Sequence, residues 1–138
     1  MSGIPSLATL RGRTIGTILL VAAQITIGLT HVFFGVWLVF GELSFTVYGG
    51  LTLVYSFYTL AFGMATLICT YGIWLGNRWG WLGTVGVCLF VIVADGFTLL
   101  NLPSVPGIPK SAGAAEIVYS LAVLLYLFQK QVRSKYRF

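Results

Sequence analysis

Four long stretches of this chain carry almost no charge: residues 14–40, 47–75, 79–100 and 114–128. Only His31, Asp95 and Glu116 place an imidazole or a carboxylate within them. A run of roughly 20 apolar residues, rising about 1.5 Å each as a helix, crosses the hydrocarbon core of a bilayer. Lipid offers no partner to backbone amides, so such a run must satisfy its hydrogen bonds internally, as an α-helix does. The pattern therefore predicts an all-α, integral membrane four-helix bundle built as a single domain over residues 1–138. Connections are short at Gly41–Thr46 and Gly76–Arg78, and longer from Asn101 to Gly113. No linker, internal repeat or low-complexity tract divides the chain.

Charge then excludes whole classes of function. Eight Lys/Arg and three Asp/Glu make 8% of the residues, where a soluble domain carries about 25%. A water-soluble monomer could not cover its surface with so few. The net charge of +5 is spread along the chain and forms no patch of the kind that binds nucleic acid. It reads instead as a topology signal. Arg11 and Arg13 precede the first span, Arg78 lies in the second loop, and Lys130, Arg133, Lys135 and Arg137 follow the last. Lys110 alone falls on the opposite side. By the positive-inside rule both termini are cytoplasmic, and the protein sits in the cell membrane as a multi-pass chain. Trp74, Trp79 and Trp81 flank Arg78 as an interfacial aromatic belt would. Arg78, Lys130, Arg133, Lys135 and Arg137 are placed to meet lipid head groups. Arg11 and Arg13 before an apolar run resemble a signal peptide, but that run continues past Val21-Ala22-Ala23 to Phe40, as in an uncleaved anchor.

Lipid is as apolar as leucine, so membrane helices associate through small and polar residues. Their spacing marks the contact faces. Thr17, Gln24, Gly28, His31 and Gly35 share one side of the first span. Thr52, Ser56, Thr59, Gly63, Thr66 and Thr70 alternate by four and three in the second, and Thr84, Cys88, Val91, Asp95 and Thr98 do so in the third. A weaker stripe joins Ala112, Glu116, Ser120 and Val123. These faces look into a left-handed bundle or toward a neighbouring protein. Gly80, Gly83 and Gly86 form a second row on the third span, which points to a contact beyond the bundle.

His31 and Asp95 lie at matching depth, roughly 25 Å from the cytoplasmic starts of their helices, and form a candidate intramembrane pair. An acid in a span marks either a register-fixing hydrogen bond or a proton or ion path. Glu116, at the start of the last span, and Glu42, in the first external loop, complete an outer polar cluster. His31, Asp95 and Glu116 are also candidate metal ligands, though one histidine is thin provision for a transition metal. Cys69 and Cys88 show no Cys-x-x-Cys spacing and read as small apolar core residues. The chain has no phosphate loop, no Gly-x-Ser-x-Gly elbow and no His-Glu-x-x-His, so no catalytic residue, cofactor or enzymatic activity is assigned. Pro103, Pro106 and Pro109 stiffen the third loop, as a connector or as an external docking strap.

The segment Tyr71-Gly72-Ile73-Trp74-Leu75-Gly76-Asn77-Arg78-Trp79-Gly80-Trp81 resembles the cytoplasmic turn of many small prokaryotic membrane proteins. The whole chain is similar in build to archaeal four-span proteins of no assigned function. In size and polarity it is also similar to small extra subunits of membrane oxidases and of copper monooxygenases, such as archaeal ammonia monooxygenase. The resemblance implies a non-catalytic accessory subunit, with membrane lipids and larger membrane subunits as partners. The alternative is a small homo-oligomeric transporter or channel with Asp95 and His31 on a proton or ion path.

Overall fold

The computed structural model describes the backbone of residues 14–45 and 50–136, and the side chains of 14–41 and 53–136. Arg11, Arg13, Arg137 and the side chains of Glu42 and Thr52 lie outside the described residues. Four long helices follow one another: α1 (Ile15–Phe45), α2 (Gly50–Leu75), α3 (Arg78–Leu99) and α4 (Lys110–Leu127). A single-turn helix α5 (Lys130–Arg133) and a 3-10 turn (Ser134–Tyr136) end the described chain. All four long helices have the length and apolarity to cross a membrane, and the protein is a multi-pass, all-helical membrane protein.

Two boundaries differ from the sequence pattern. Helix α1 continues through Gly41–Phe45, where a loop was expected, because a helix need not stop where its apolar stretch ends. Helix α4 begins at Lys110 rather than near Ala114. Pro109 occupies its N-cap, where the amide that proline lacks would have had no helical partner. At roughly 27 Å, α4 is then just long enough for the hydrocarbon core.

The turns close by backbone chemistry. After α2, the Asn77 amide donates to the Gly72 carbonyl (2.9 Å) and the Gly76 amide to Ile73 (3.0 Å). This Schellman arrangement needs a left-handed residue, and Gly76 supplies it at φ 72°. Asn101 plays the same part after α3, at φ 56°. Ser104 Oγ then donates to the Ala94 carbonyl at 2.7 Å, and Gly107 comes up against the Tyr55 side chain. The proline-rich loop is thereby folded back onto the outer end of the bundle.

Polarity is arranged inside out relative to a soluble bundle. Phe33, Trp37, Val118 and Leu125 face outward, while Thr17, Gln24, Ser56, Thr66, Thr84 and Ser120 are buried. Small residues allow the close approach: a Cβ built on Gly63 would stand 2.7 Å from the Val32 nitrogen and 2.8 Å from the Gly28 carbonyl. Gly35 meets the Leu60 backbone in the same way, so Gly28, Gly35 and Gly63 define the α1–α2 seam. Between α2 and α3, Gly80 lies directly on the Gly72 backbone and Gly83 faces Cys69 Sγ. Those two glycines, expected to meet another chain, are consumed within the bundle. Gly86 remains with open space beyond it.

The apolar core sits at the basic end. Leu20, Ile73, Trp81 and Leu127 pack there with Val132 and Tyr136 from the tail. Trp81 Nε1 donates to the Leu127 carbonyl at 3.2 Å. The segment after α4 is therefore a folded plug under the bundle, with Lys130, Arg133 and Lys135 exposed around it. Helices α1 and α4 complete the ring without close backbone approach. Side chains bridge them, Thr17 Oγ1 to Tyr126 Oη at 3.0 Å and His31 to Glu116, and Lys135 Nζ of the tail donates to Thr14 Oγ1 just before α1 at 3.1 Å.

Candidate intramembrane site

The outer half of the bundle holds the titratable residues. His31 projects from α1, and its Nδ1 lies 2.8 Å from the Ile27 carbonyl one turn earlier. A carbonyl only accepts, so Nδ1 carries the hydrogen. The other ring nitrogen, Nε2, stands 3.2 Å from Glu116 Oε1 on α4. With Nδ1 already protonated, that contact is a hydrogen bond only if Nε2 or Glu116 contributes one further proton. A proton shared at that contact would link α1 to α4. Phe62 packs edge-on against the imidazole, with ring centroids 4.7 Å apart.

Asp95 lies beside this pair on α3. It is wholly buried, at 0% exposure, and neither carboxyl oxygen meets a donor group; its hydrogen-bonding neighbour is the Glu116 carboxyl, which it can bond only when one of the two acids carries a proton. Glu116 and His31 are both within electrostatic reach of it, yet no hydrogen bond joins it to His31. The expected His31–Asp95 bond is replaced by His31–Glu116 for a geometric reason. Because α4 starts at Lys110, Glu116 lies about 9 Å along the helix from its start, level with the histidine instead of at the head groups. Asp95 instead packs on α4 at Gly113, where a Cβ would stand 3.3 Å from the Asp95 Cβ and 3.7 Å from Oδ1. Glycine at 113 makes room for the carboxyl.

Two tyrosines that the sequence pattern did not single out border the cluster. Tyr58 and Tyr55 on α2 both lie within electrostatic reach of Asp95 and Glu116. The Tyr58 hydroxyl is buried with no partner, and its ring stacks on Phe62 (6.4 Å) and lies tilted against Phe90 (6.2 Å). Neither tyrosine falls on the four-three stripe of α2, so periodicity carried no signal for them.

The cluster gathers acids, an imidazole and phenols at one level, but not a metal cage. Among the described residues no three His, Cys, Asp or Glu are placed to hold a metal ion, which leaves the His31, Asp95 and Glu116 set without ligand geometry. Cys69 and Cys88 are free and buried in the inner half. Ser56, also wholly buried, completes the inward face of α2 in the outer half. Comparison with family models, with curated proteins and with solved structures finds no match for the chain.

Proposed function

We propose that this protein moves protons or small cations through its bundle, as a small transporter or channel with the His31–Glu116 pair and Asp95 on the path. One observation supports the reading: Asp95 is wholly buried with no donor group on either oxygen, beside the Glu116 carboxyl that also meets His31. An acid buried within a span is costly and is ordinarily kept for function. The chemistry needs no cofactor. A proton passing from the Nε2–Oε1 contact to the Asp95 carboxyl converts the acceptor into a donor, and return passage resets it. Tyr58 and Tyr55 supply hydroxyls that can relay on the side facing the folded loop. Arg78, Lys130, Arg133 and Lys135 mark the basic end as cytoplasmic under the positive-inside rule, so the cluster lies in the exterior half of the bundle.

The test is proton uptake into proteoliposomes loaded with a pH-sensitive dye, under an imposed potential. Asp95→Asn keeps the shape of the side chain, and is expected to abolish uptake while leaving the protein folded and assembled. Uptake retained in that variant would defeat the proposal.

The accessory-subunit reading keeps one supporting observation. Gly86 is exposed on the lipid side of α3 with nothing near its missing Cβ, as a close contact with another helix would use. Native mass spectrometry from gently solubilised membranes separates the two. A fixed stoichiometry with larger subunits, such as those of an oxidase or copper monooxygenase, supports that reading. A self-contained homo-oligomer supports transport.

A further inference from the structure

Below the outer cluster the four helices enclose a small space. A cavity of about 10 Å³ is lined by Gln24, Thr66, Thr84, Cys88, Tyr119 and Ser120 among others. That is close to the minimum that admits one water, on the order of 10–15 Å³. Two hydroxyls bordering it, Thr66 Oγ1 and Tyr119 Oη, are buried without a hydrogen-bond partner, and Thr66 as a whole is only 4% exposed. Buried hydroxyls left unpaired are costly, and buried waters characteristically satisfy such groups. On its other side this cavity is closed by Phe62, the same ring that packs against His31.

We infer that the cavity is a one-water site, with Thr66 and Tyr119 as its hydroxyl ligands, and that Phe62 partitions this water from the His31–Glu116 pair. One water accepts and donates, so it can satisfy both orphaned hydroxyls at once. Gln24 and Ser120 line the same space and offer further polar groups. Below it, the Thr70 hydroxyl donates to the Thr66 carbonyl at 2.6 Å and lies 3.3 Å from Gln24 Oε1, so the site continues a polar file toward the basic end. The partition's part in transport rests on the proton reading above. The water does not.

Water-edited solid-state NMR in bilayers tests the site directly, on protein labelled at the Thr66 Cβ and the Tyr119 ring. Magnetisation is expected to pass from water to both, and to be absent at buried Val91. Absence at Thr66 and Tyr119 would overturn the site. A sign test adds to it: Tyr119→Phe should lower Tm by about 2–4 °C if the hydroxyl binds water. A raised Tm would mean that the hydroxyl stood dry, and would overturn the site as well. Phe62→Ala then removes the partition, and proton uptake into proteoliposomes should rise several-fold over the unsubstituted protein. An unchanged rate alongside measurable uptake would overturn the partition. No uptake in either protein, with the NMR signal intact, would remove the proton reading and leave the water site standing.

Discussion

Replacing Gly63 by alanine probes the close α1–α2 contact against a control built into the same bundle. The added methyl would stand 2.7 Å from the Val32 nitrogen, 2.8 Å from the Gly28 carbonyl and 2.9 Å from Val32 Cγ2. Two of these three neighbours are backbone and cannot rotate away. Ordinary contact begins near 3.4 Å, so α1 and α2 must part by about 0.7 Å along a seam that also runs through Gly28 and Gly35. Overpacking costs roughly 1–3 kcal/mol, and with two unyielding backbone neighbours the upper part of that range applies, about 2–3 kcal/mol. Alanine's better helix propensity returns about 1 kcal/mol. The expected net loss is therefore about 1–2 kcal/mol, or roughly a 5- to 30-fold shift in the folding equilibrium. Gly86→Ala gains the same propensity and meets nothing within 4 Å, so it should be neutral or stabilising by up to about 1 kcal/mol. SDS titration in mixed micelles, followed by helical circular dichroism, reads both variants on one scale. Gly63→Ala as stable as the unsubstituted protein, or Gly86→Ala destabilised to the same degree, would refute this account of the seam.

Three further outcomes follow from the geometry. Tyr136→Ala removes a buried ring from the plug beneath the bundle and should cost about 3 kcal/mol in the same titration, whereas Lys130→Ala, at an exposed neighbour, should change stability by less than about 0.5 kcal/mol. Gly76→Ala forces a side chain into a left-handed conformation at φ 72° and should cost about 1–2 kcal/mol, while Asn101→Gly should be neutral or mildly stabilising. Glu116→Gln lets the side-chain amide donate to Nε2 of a neutral imidazole, so nitrogen-15 NMR should report an unprotonated Nε2 that accepts a hydrogen bond. In the unsubstituted protein the same signal should show the shared proton, and identical spectra for the two would contradict the pairing.

The architecture was largely legible because membrane burial inverts the usual code. Thr17, Gln24, Ser56, Thr66, Thr70, Thr84, Cys88, Asp95 and Ser120 stand at helical spacing, and those positions face inward. Polar residues in an apolar run have nowhere else to go. The candidate site was legible in its members but not in its pairing. Lys110 and Ser111 look like loop residues after three prolines, and beginning α4 at Ala114 leaves Glu116 at the membrane surface. The plug formed by the tail was hidden for a related reason: its charges dominate by composition, while Val132 and Tyr136 stand four apart, the spacing of a single buried helical face. Tyr58 and Tyr119 gave no signal at all. An aromatic hydroxyl is equally at home at an interface or in a core, and only the packing shows that these two hydroxyls are buried.

The placement of Asp95 against Gly113 also bears on how the protein enters the membrane. Helices emerge from synthesis in order, so α3 is complete before α4 exists to cover its carboxylate. An aspartate near the middle of a lone helix disfavours insertion by about 2.5–3.5 kcal/mol, less toward the end where Asp95 lies. The hairpin of α3 and α4, joined by its proline-stiffened loop, is the smallest unit that enters lipid with this acid already sheltered. Biogenesis of the chain is then set less by its most apolar segment than by the arrival of one glycine.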